Sequence, residues 1–332
     1  VLSGALDAPV LLTRPNSLPS SIKRAITDLD ASRAVVIGGQ EAISASVVGE
    51  LKNLGLTVSR IGGKDRYETA AKIAEEAKKK GSIANYAFIV NGFAPADALV
   101  TAPAAFKNSA VILQVTRDAV PSVTENAIKS LGISRVYIVG GTAVVSSAVE
   151  KELSKLATVK ARLGGADRYA TSVAVAEEFF DEQANIVLAC GHDTNLVDSI
   201  GACIFGLPIL YVQQNAIPKV VNNYLESNVT ADSEFKIIGG TSAVSRKVNS
   251  QIEEIIDDSA GGGASSESVK SVSVSGVPVV GTTLTATPTP SRATVDYQWQ
   301  QRDGTWCNIS GATSRTYKLT DADKGKWIRV VV

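Results

Sequence analysis

From the N-terminus to Ile256 the chain alternates short apolar runs with segments whose apolar residues recur every three or four positions. One set of runs is Ala8 to Leu12, Ser109 to Leu113 and Leu207 to Tyr211, each followed by a proline turn at Leu18-Pro19, Val120-Pro121 or Ile217-Pro218. A second set, Ala34 to Gly39, Tyr137 to Gly141 and Lys236 to Gly240, ends each time on a glycine pair. Near-continuous β-branched runs of this kind predict parallel strands covered on both faces. Further strands are predicted at Tyr86 to Val90 and Ile186 to Ala189. Helices are predicted between them, as over Ser122 to Leu131, where a proline ahead of the first turn costs no hydrogen bond. Others follow the glycine pairs, over Ala45 to Leu54, Ala148 to Leu156 and Val248 to Ile256. Ser44, the Ser146-Ser147 pair and Ser245 stand where N-caps belong, and Ser147 with Glu150 predicts a capping box. Such alternation calls for right-handed crossovers on parallel sheets with helices on both faces, a three-layer, Rossmann-like α/β architecture.

The pattern is repeated. RIGGKDRYETA, beginning at Arg60, returns as RLGGADRYATS at Arg162, a period of roughly 100 residues that suits a whole α/β unit rather than a solenoid turn. Taking each unit to start at this motif gives full units at 60–161 and 162–258 and a first unit at 1–59 that reads as having lost its beginning. Within the motif, Asp65 and Glu68 predict a capping box ahead of a helical stripe of Tyr67, Ala70, Ala71, Ala74 and Ala77. Asp167 repeats the cap, and Tyr169, Val173, Ala176 and Phe180 repeat the stripe. Capping leaves Arg60, Arg66, Arg162 and Arg168 unexplained. They could pair with Asp65 and Asp167, brace the units, or meet a ligand, and bracing is the favoured expectation.

After Ile256 the texture changes. Residues 259–266 form a Gly/Ser linker, and beyond it the texture of Val272, Val274 and Val277, Leu284 to Thr287, Val295 to Trp299 and Trp327 to Val332 is one of alternation, predicting a small antiparallel β-domain over 267–332. Trp299 is expected in its core. The chain still reads as strand at Val332, so this domain is expected to be incomplete.

Lys plus Arg and Asp plus Glu each number 33, so net charge supplies no global attraction to nucleic acid or an anionic membrane. No run of about 18 uncharged apolar residues marks a membrane span. The chain starts at Val1 inside a repeat and contains no methionine, which points to a processed or trimmed product. Cys190, Cys203 and Cys307 are odd in number and lack the CxxC spacing of a zinc site or a disulfide framework. The single histidine, His192, lies two residues from Cys190, but the second unit has Asn91-Gly92-Phe93 in that place, which argues against nucleophilic catalysis. No GxSxG, HExxH or GxGxxG is present, and Gly62-Gly63-Lys64 is followed by Asp65 rather than Ser or Thr. The expectation is therefore a protein without catalytic residues, metal or cofactor.

Ligands of open parallel sheets sit beyond the carboxyl ends of the strands. The polar loops there hold Arg14 and Asn16; Arg117 and Asp118; Gln213, Gln214 and Asn215; and Asn91, Asp97, Asn195 and Asp198. Helix N-termini in the same place could hold an anionic group without much net positive charge.

Taken together, the RxxGxDRYxTA motif, the strands of the P-[VI]-L-L type and the [VI]-x-GG-x-x-x-[VI]-S segments resemble the cell wall binding repeat 2 family from Val1 to Ile256. The resemblance implies three tandem repeats packed as an intrachain pseudo-trimer. It also implies noncovalent anchoring of a surface protein to an anionic secondary polymer of the Gram-positive wall, with no reaction and no cofactor. The family's wall-retention motif falls on Pro9-Val10-Leu11-Leu12, Ala110-Val111-Ile112-Leu113 and Pro208-Ile209-Leu210-Tyr211. Ala110 and Tyr211 depart from it, so the units are not expected to bind alike. A Phe-Pro-Asp-Ala-Leu-like segment carries over only at Asp97 and Asp198. The tail, with Tyr297 to Gln300, Ile309 to Tyr317 and Asp323-x-Gly325-x-Trp327, resembles a bacterial immunoglobulin-like repeat, implying a small sandwich that serves as spacer or adhesive module. The alternatives are the wall-anchoring piece of an amidase or a surface-layer subunit, the latter with lateral self-assembly.

Overall fold

The strands of residues 2–259 pair in parallel and fall into three sheets, one for each predicted unit. The structure is a computed structural model that describes residues 2–81, 83–180, 185–259, 271–275, 277–289 and 295–332. Its contacts divide the chain into Val1–Ser259 and Ala260–Val332.

The first sheet is β1 (Arg33–Ile37) beside β2 (Thr57–Ile61), following helices α1 (Leu2–Leu6) and α2 (Ser20–Asp28) and joined by α3 (Ala45–Asn53). Next come α4 (Arg66–Lys80), β3 (Tyr86–Asn91), α5 (Pro95–Lys107), β4 (Val111–Val115), α6 (Ser122–Ser130), β5 (Arg135–Val139), α7 (Ser147–Leu153) and β6 (Thr158–Leu163). Their sheet runs in the order β4-β3-β5-β6. The third set is α8 (Arg168–Phe179), β7 (Ile186–Cys190), a 3-10 helix (Leu196–Phe205), β8 (Ile209–Val212), α9 (Lys219–Asn228), β9 (Phe235–Ile238) and α10 (Arg246–Ser259), with strand order β8-β7-β9. The motif arginines Arg60 and Arg162 lie on β2 and β6, so a boundary drawn at the motif passes through a strand that completes the preceding sheet.

The repeats share core. One face of the second sheet packs Ile89, Leu113 and Ile138 against Ala71, Ala74 and Ile128 of its own helices. On the other face Phe88, Val90, Val100 and Ala104 join Val175, Ala189, Ile209 and Tyr211 of the third set in a single apolar cluster. Phe179 of α8 stands edge-on to both Phe88 and Tyr137, each at 4.9 Å between ring centres. Of these rings Phe88 is fully buried, and burying a large apolar side chain stabilises by about 1.5–3 kcal/mol, so the junction contributes on the scale of a domain interior. Helix α5 packs on α8 as α1 packs on α4, and α5 also packs on the 3-10 helix.

Two expectations need correction. Ala8 to Leu12 is not a strand, and Val10, Leu11 and Leu12 are 45%, 38% and 46% exposed. Its counterparts β4 and β8 are edge strands whose sheet partners are β3 and β7, and residues 2–7 hold a helix and turn rather than such a strand. With no ladder to join, the run lies exposed, and the Ala8 N–H and carbonyl pair with Ser3 instead. In the second unit the helix cap is Ser146, whose hydroxyl accepts from Val149 N, while Ser147 is already helical. Ser44 holds the cap position without a side-chain bond, and the hydroxyls of Ser44 and Ser245 are buried without a partner among the described residues.

Among the described residues, the C-terminal unit holds two three-stranded antiparallel sheets. One joins β10 (Ser271–Ser275), β11 (Thr283–Thr289) and β14 (Thr316–Lys318) in the order β10-β11-β14. The other joins β12 (Gln298–Asp303), β13 (Thr305–Asn308) and β15 (Trp327–Val331) in the order β13-β12-β15. Trp299 is fully buried with Leu284, Ala286 and Leu319, stacks on Tyr317 at 5.7 Å, and donates its indole N–H to Ser314 O at 2.9 Å. Buried Asp323 accepts from Tyr317 Oη, Thr320 N and Thr320 Oγ1 at 2.8–2.9 Å. The linker read at 259–266 lies outside the described residues except for Ser259, which ends α10. Among the described residues no helix is long and apolar enough to cross a membrane.

Candidate functional site

Both long repeats build the same structure at the carboxyl end of their sheets, and the Asp-Arg-Tyr triplet makes it. Asp65 and Asp167 cap α4 and α8, accepting from Glu68 N and Ala170 N at 2.8 Å. The acidic half of the predicted box is displaced by one residue: Glu68 accepts from Lys64 N at 2.8 Å rather than from the cap residue itself. It also pairs with Lys72 at 2.8 Å, and the Lys72 ammonium together with the Lys64 N–H lowers its pKa. The next residue, arginine, reaches the loop after the neighbouring strand. Arg66 donates to Gly92 O with its guanidinium 4.0 Å over the Phe93 ring. Arg168 donates to Gly191 O at 2.6 Å and pairs with Asp193 at 2.5 Å, which lowers the Asp193 pKa. Tyr67 and Tyr169 pack against the same glycines: a Cβ on Gly92 would lie 3.1 Å from Tyr67 Cε1, and one on Gly191 2.8 Å from Tyr169 Cε1.

The first arginine of each motif does similar work one strand over. Arg60 donates to Gly38 O at 2.6 Å, Gly39 O at 3.0 Å and Ile43 O at 2.7 Å. Arg162 donates to Gly140 O at 3.0 Å and pairs with Glu150 at 2.7 Å. All four arginines therefore hold carbonyls at strand ends, and none pairs with Asp65 or Asp167. Glycine at the motif is required by the same contact: a Cβ on Gly62 would lie 2.6 Å from the Gly38 carbonyl carbon, and one on Gly164 2.6 Å from that of Gly140.

The predicted binding residues divide by exposure. Pro9, Leu11, Leu12, Arg14, Asn16, Arg117, Gln213 and Asn215 are exposed, Asn195 and Asp198 half-buried, and Asn91, Asp97 and Pro208 buried. Asn91 is occupied, donating to Val144 O at 2.5 Å and accepting from Phe93 N at 2.7 Å. Arg117 donates to Ala143 O at 3.0 Å, and Gln214 does the corresponding work on Ser242 O at 2.7 Å. Asp97 and Asp198 sit over the glycine of the next loop: their Oδ2 atoms would lie 2.7 and 2.9 Å from a Cβ on Gly140 and Gly239. Burial pushes the Asp97 carboxyl up to about 6, against an opposing pull from Arg168.

In the third repeat these loops enclose a cleft of about 460 Å³ lined by Tyr169, Cys190, His192, Asn195, Gln213 and Ser242 among others. His192 Nδ1 lies 2.9 Å from Thr194 Oγ1, and Cys190 is buried. Another hollow, of about 540 Å³, lies by Lys78, Lys79, Lys80 and Asn85 at the opposite end of the second sheet. There Lys79 and Lys80 pair with Glu76 at 3.4 and 3.7 Å, and strand carboxyl ends are the better ligand position. Sequence reasoning missed Phe93, 70% exposed, and Gln114, whose Oε1 is buried without a partner among the described residues, as is Tyr67 Oη. The signal for Phe93 was an aromatic directly after a strand-end glycine. Among the described residues no group of three metal-binding side chains occurs.

A family model described as Cell wall binding domain 2 (CWB2) matches residues 60–150 and 162–249. The chain belongs to the CWB2 family. Its CWB2 repeats are similar to the N-acetylmuramoyl-L-alanine amidase LytC of Bacillus subtilis (strain 168), 30% identical over 255 residues that make up 74% of this chain and 48% of the relative. The amidase enhancer of the same organism is 31% identical over 257 residues, 76% of this chain and 34% of the enhancer. Among solved structures, Cwp6 from Clostridium difficile superposes with a TM-score of 0.70 at 30% identity over 80% of this chain and 42% of Cwp6. Cwp8 from Clostridium difficile gives 0.66 at 25% identity, over 77% of this chain and 45% of Cwp8. The chain thus spans about half or less of each of these proteins.

Proposed function

We propose that this chain anchors a secreted surface protein to the Gram-positive cell wall, without catalysis, by noncovalent binding of an anionic secondary wall polymer. The observation that carries the reading is the CWB2 match over both long repeats. The repeats run over 1–59, 60–161 and 162–258 as a pseudo-trimer, an arrangement supported by the α1–α4 and α5–α8 packings and the shared core. Residues 259–266 link them to a spacer or adhesive β-domain over 267–332. The polymer meets the strand-end loops, where Arg14, Arg117, Gln213 and Asn215 are exposed and Gln213 lines the cleft. Arg66 over Phe93 supplies a cation beside an exposed ring. Charged groups on the polymer would be drawn to these cations even though the chain has no net charge.

A pull-down of the whole chain on purified, protein-stripped walls tests the proposal. Retention is expected, with loss of retention after the anionic polymer is removed by acid extraction. No retention, or retention indifferent to that removal, overturns it. The likeness to an amidase and an amidase enhancer supports a second reading, the anchoring piece of a wall hydrolase whose active domain lies outside these residues. Loss of turbidity of a wall suspension on adding this chain alone would mean that the chain is itself lytic, against both readings. A surface-layer subunit would instead form ordered two-dimensional arrays on a wall support.

A further inference from the structure

The outward face of the sheet β13-β12-β15 is aromatic and cationic. On β15, Ile328 and Val330 pack toward Trp299, which turns Trp327, Arg329 and Val331 outward. Trp327 is 75% exposed and has no ring or cation contact among the described residues. The strand register sets Arg302 opposite Trp306 on one side and opposite Trp327 on the other, so the three form a row across the sheet. Two strand spacings separate the tryptophans, about 10 Å, the span of a disaccharide. The next row is Asn308, Gln300 and Arg329. It is tied side chain to side chain: Arg329 Nε donates to Gln300 Oε1 at 2.8 Å, and Gln300 Nε2 to Asn308 Oδ1 at 2.7 Å. The Arg329 guanidinium lies 4.3 Å over the Trp306 ring. Among the described side chains of these three strands, none of the outward positions carries a carboxylate.

We propose that this face is a second glycan-binding site, separate from the CWB2 repeats, that takes an extended polysaccharide bearing negative charges. The C–H face of a sugar ring is weakly positive and stacks on the negative face of an indole, the role left to Trp327. Planar amides of Gln300 and Asn308 pair with hydroxyls, and Arg302 and Arg329 pair with the polymer's anionic groups. The interleaving of rings, amides and cations is what selects a sugar: a protein partner would be met by a continuous apolar centre, which this face lacks. A second copy docking face to face would set Arg302 and Arg329 against their own kind, a repulsive pairing.

The test is native affinity electrophoresis of the full chain through gels containing hyaluronan, a carboxylated glycan, or dextran, a neutral one. The parent chain is expected to be retarded by hyaluronan and much less by dextran. Trp327→Ala should weaken the hyaluronan interaction about tenfold, as loss of one stacking platform does elsewhere. Trp327→Phe should keep most of it, while Trp327→Leu, apolar without a π-face, should not. Arg302→Gln with Arg329→Gln should weaken hyaluronan binding and flatten its salt dependence. An unchanged melting temperature for Trp327→Ala establishes that the fold is intact. The proposal is overturned if the parent is not retarded, if Trp327→Ala behaves as the parent does, or if Trp327→Leu binds as well as Trp327→Phe. It is equally overturned if sedimentation velocity shows a dimer that Trp327→Ala abolishes.

Discussion

Arg168 donates to the carbonyl of Gly191 at 2.6 Å, joining the first turn of α8 to the loop that leaves β7. The same guanidinium holds Asp193 at 2.5 Å. Arg168→Ala leaves the carbonyl without its charged donor and is expected to cost about 1–2 kcal/mol, read from the midpoint of urea unfolding. The Asp193 carboxyl, held low chiefly by its hydrogen bond from Arg168, should then titrate nearer the ordinary aspartate range in an NMR pH series. A variant that lost wall retention with unchanged stability and unchanged Asp193 titration would show that the arginine serves the polymer and not the loop.

Gly164 and Gly140 touch backbone to backbone, since a Cβ on Gly164 would lie 2.6 Å from the Gly140 carbonyl carbon and 2.7 Å from Gly141 N. Neither atom can swing aside as a side chain would, so Gly164→Ala should destabilise by about 1–3 kcal/mol. Gly201→Ala, with nothing within 4 Å of its Cβ, should stay within about 0.5 kcal/mol of the parent. Equal denaturation midpoints for the two variants would refute the packing account.

Asp97 is buried, and its carboxyl rises from 3.8 to about 6 because burial penalises the charged form more than Arg168 favours it. Between those values the folded chain binds more proton than the unfolded one, so this residue's contribution to stability falls as pH rises, fully present below about 4 and lost by about pH 6. The shift corresponds to about 3 kcal/mol at most. Asp97→Asn should therefore exceed the parent in stability at pH 7.5 and lose most of that advantage at pH 4.5. The comparison between variant and parent cancels the opposite dependence of Glu50 and Glu68, whose pKa values are lowered by hydrogen bonds from Lys23 and Lys72.

Ser146 and Ser147 are adjacent, yet only Ser146 caps α7. Ser146→Ala should cost about 1 kcal/mol and Ser147→Ala less than about 0.5 kcal/mol. Thermal melts of the two variants separate them, and the reverse order would restore the capping box with Glu150, which in the structure is paired with Arg162 at 2.7 Å instead.

Much of the fold was legible because its signals are local. Asp65 and Asp167 act within one helical turn, and the apolar run over Tyr86 to Val90 follows from chain chemistry alone. The strand at Ala8 to Leu12 was misread because its apolar character is genuine while its partner is a matter of sheet topology. Candidate site residues fared unevenly for a related reason: Asn91 and Pro208 are polar or motif-bearing by sequence, yet buried in the structure. Gln114 carries no signature of its own, Phe93 only that of an aromatic after a strand-end glycine, and both become notable where they converge on Arg66 and Gly92.

The sequence by itself determined the repeat, the order of strands and helices in the two long repeats' sheets, the caps at Asp65 and Asp167 and the change to period-two strands after the repeats, since each rests on spacing along a few residues. Only the tertiary structure decided that Arg60, Arg66, Arg162 and Arg168 all hold carbonyls at strand ends, because donors and acceptors there are brought together from more than fifteen positions apart. It also decided that the repeats share a core through Phe88 and Phe179, and that Trp327, indistinguishable by pattern from buried Trp299, faces water. Strand parity relative to a partner fixes which face a side chain takes, and a sequence does not state its partner.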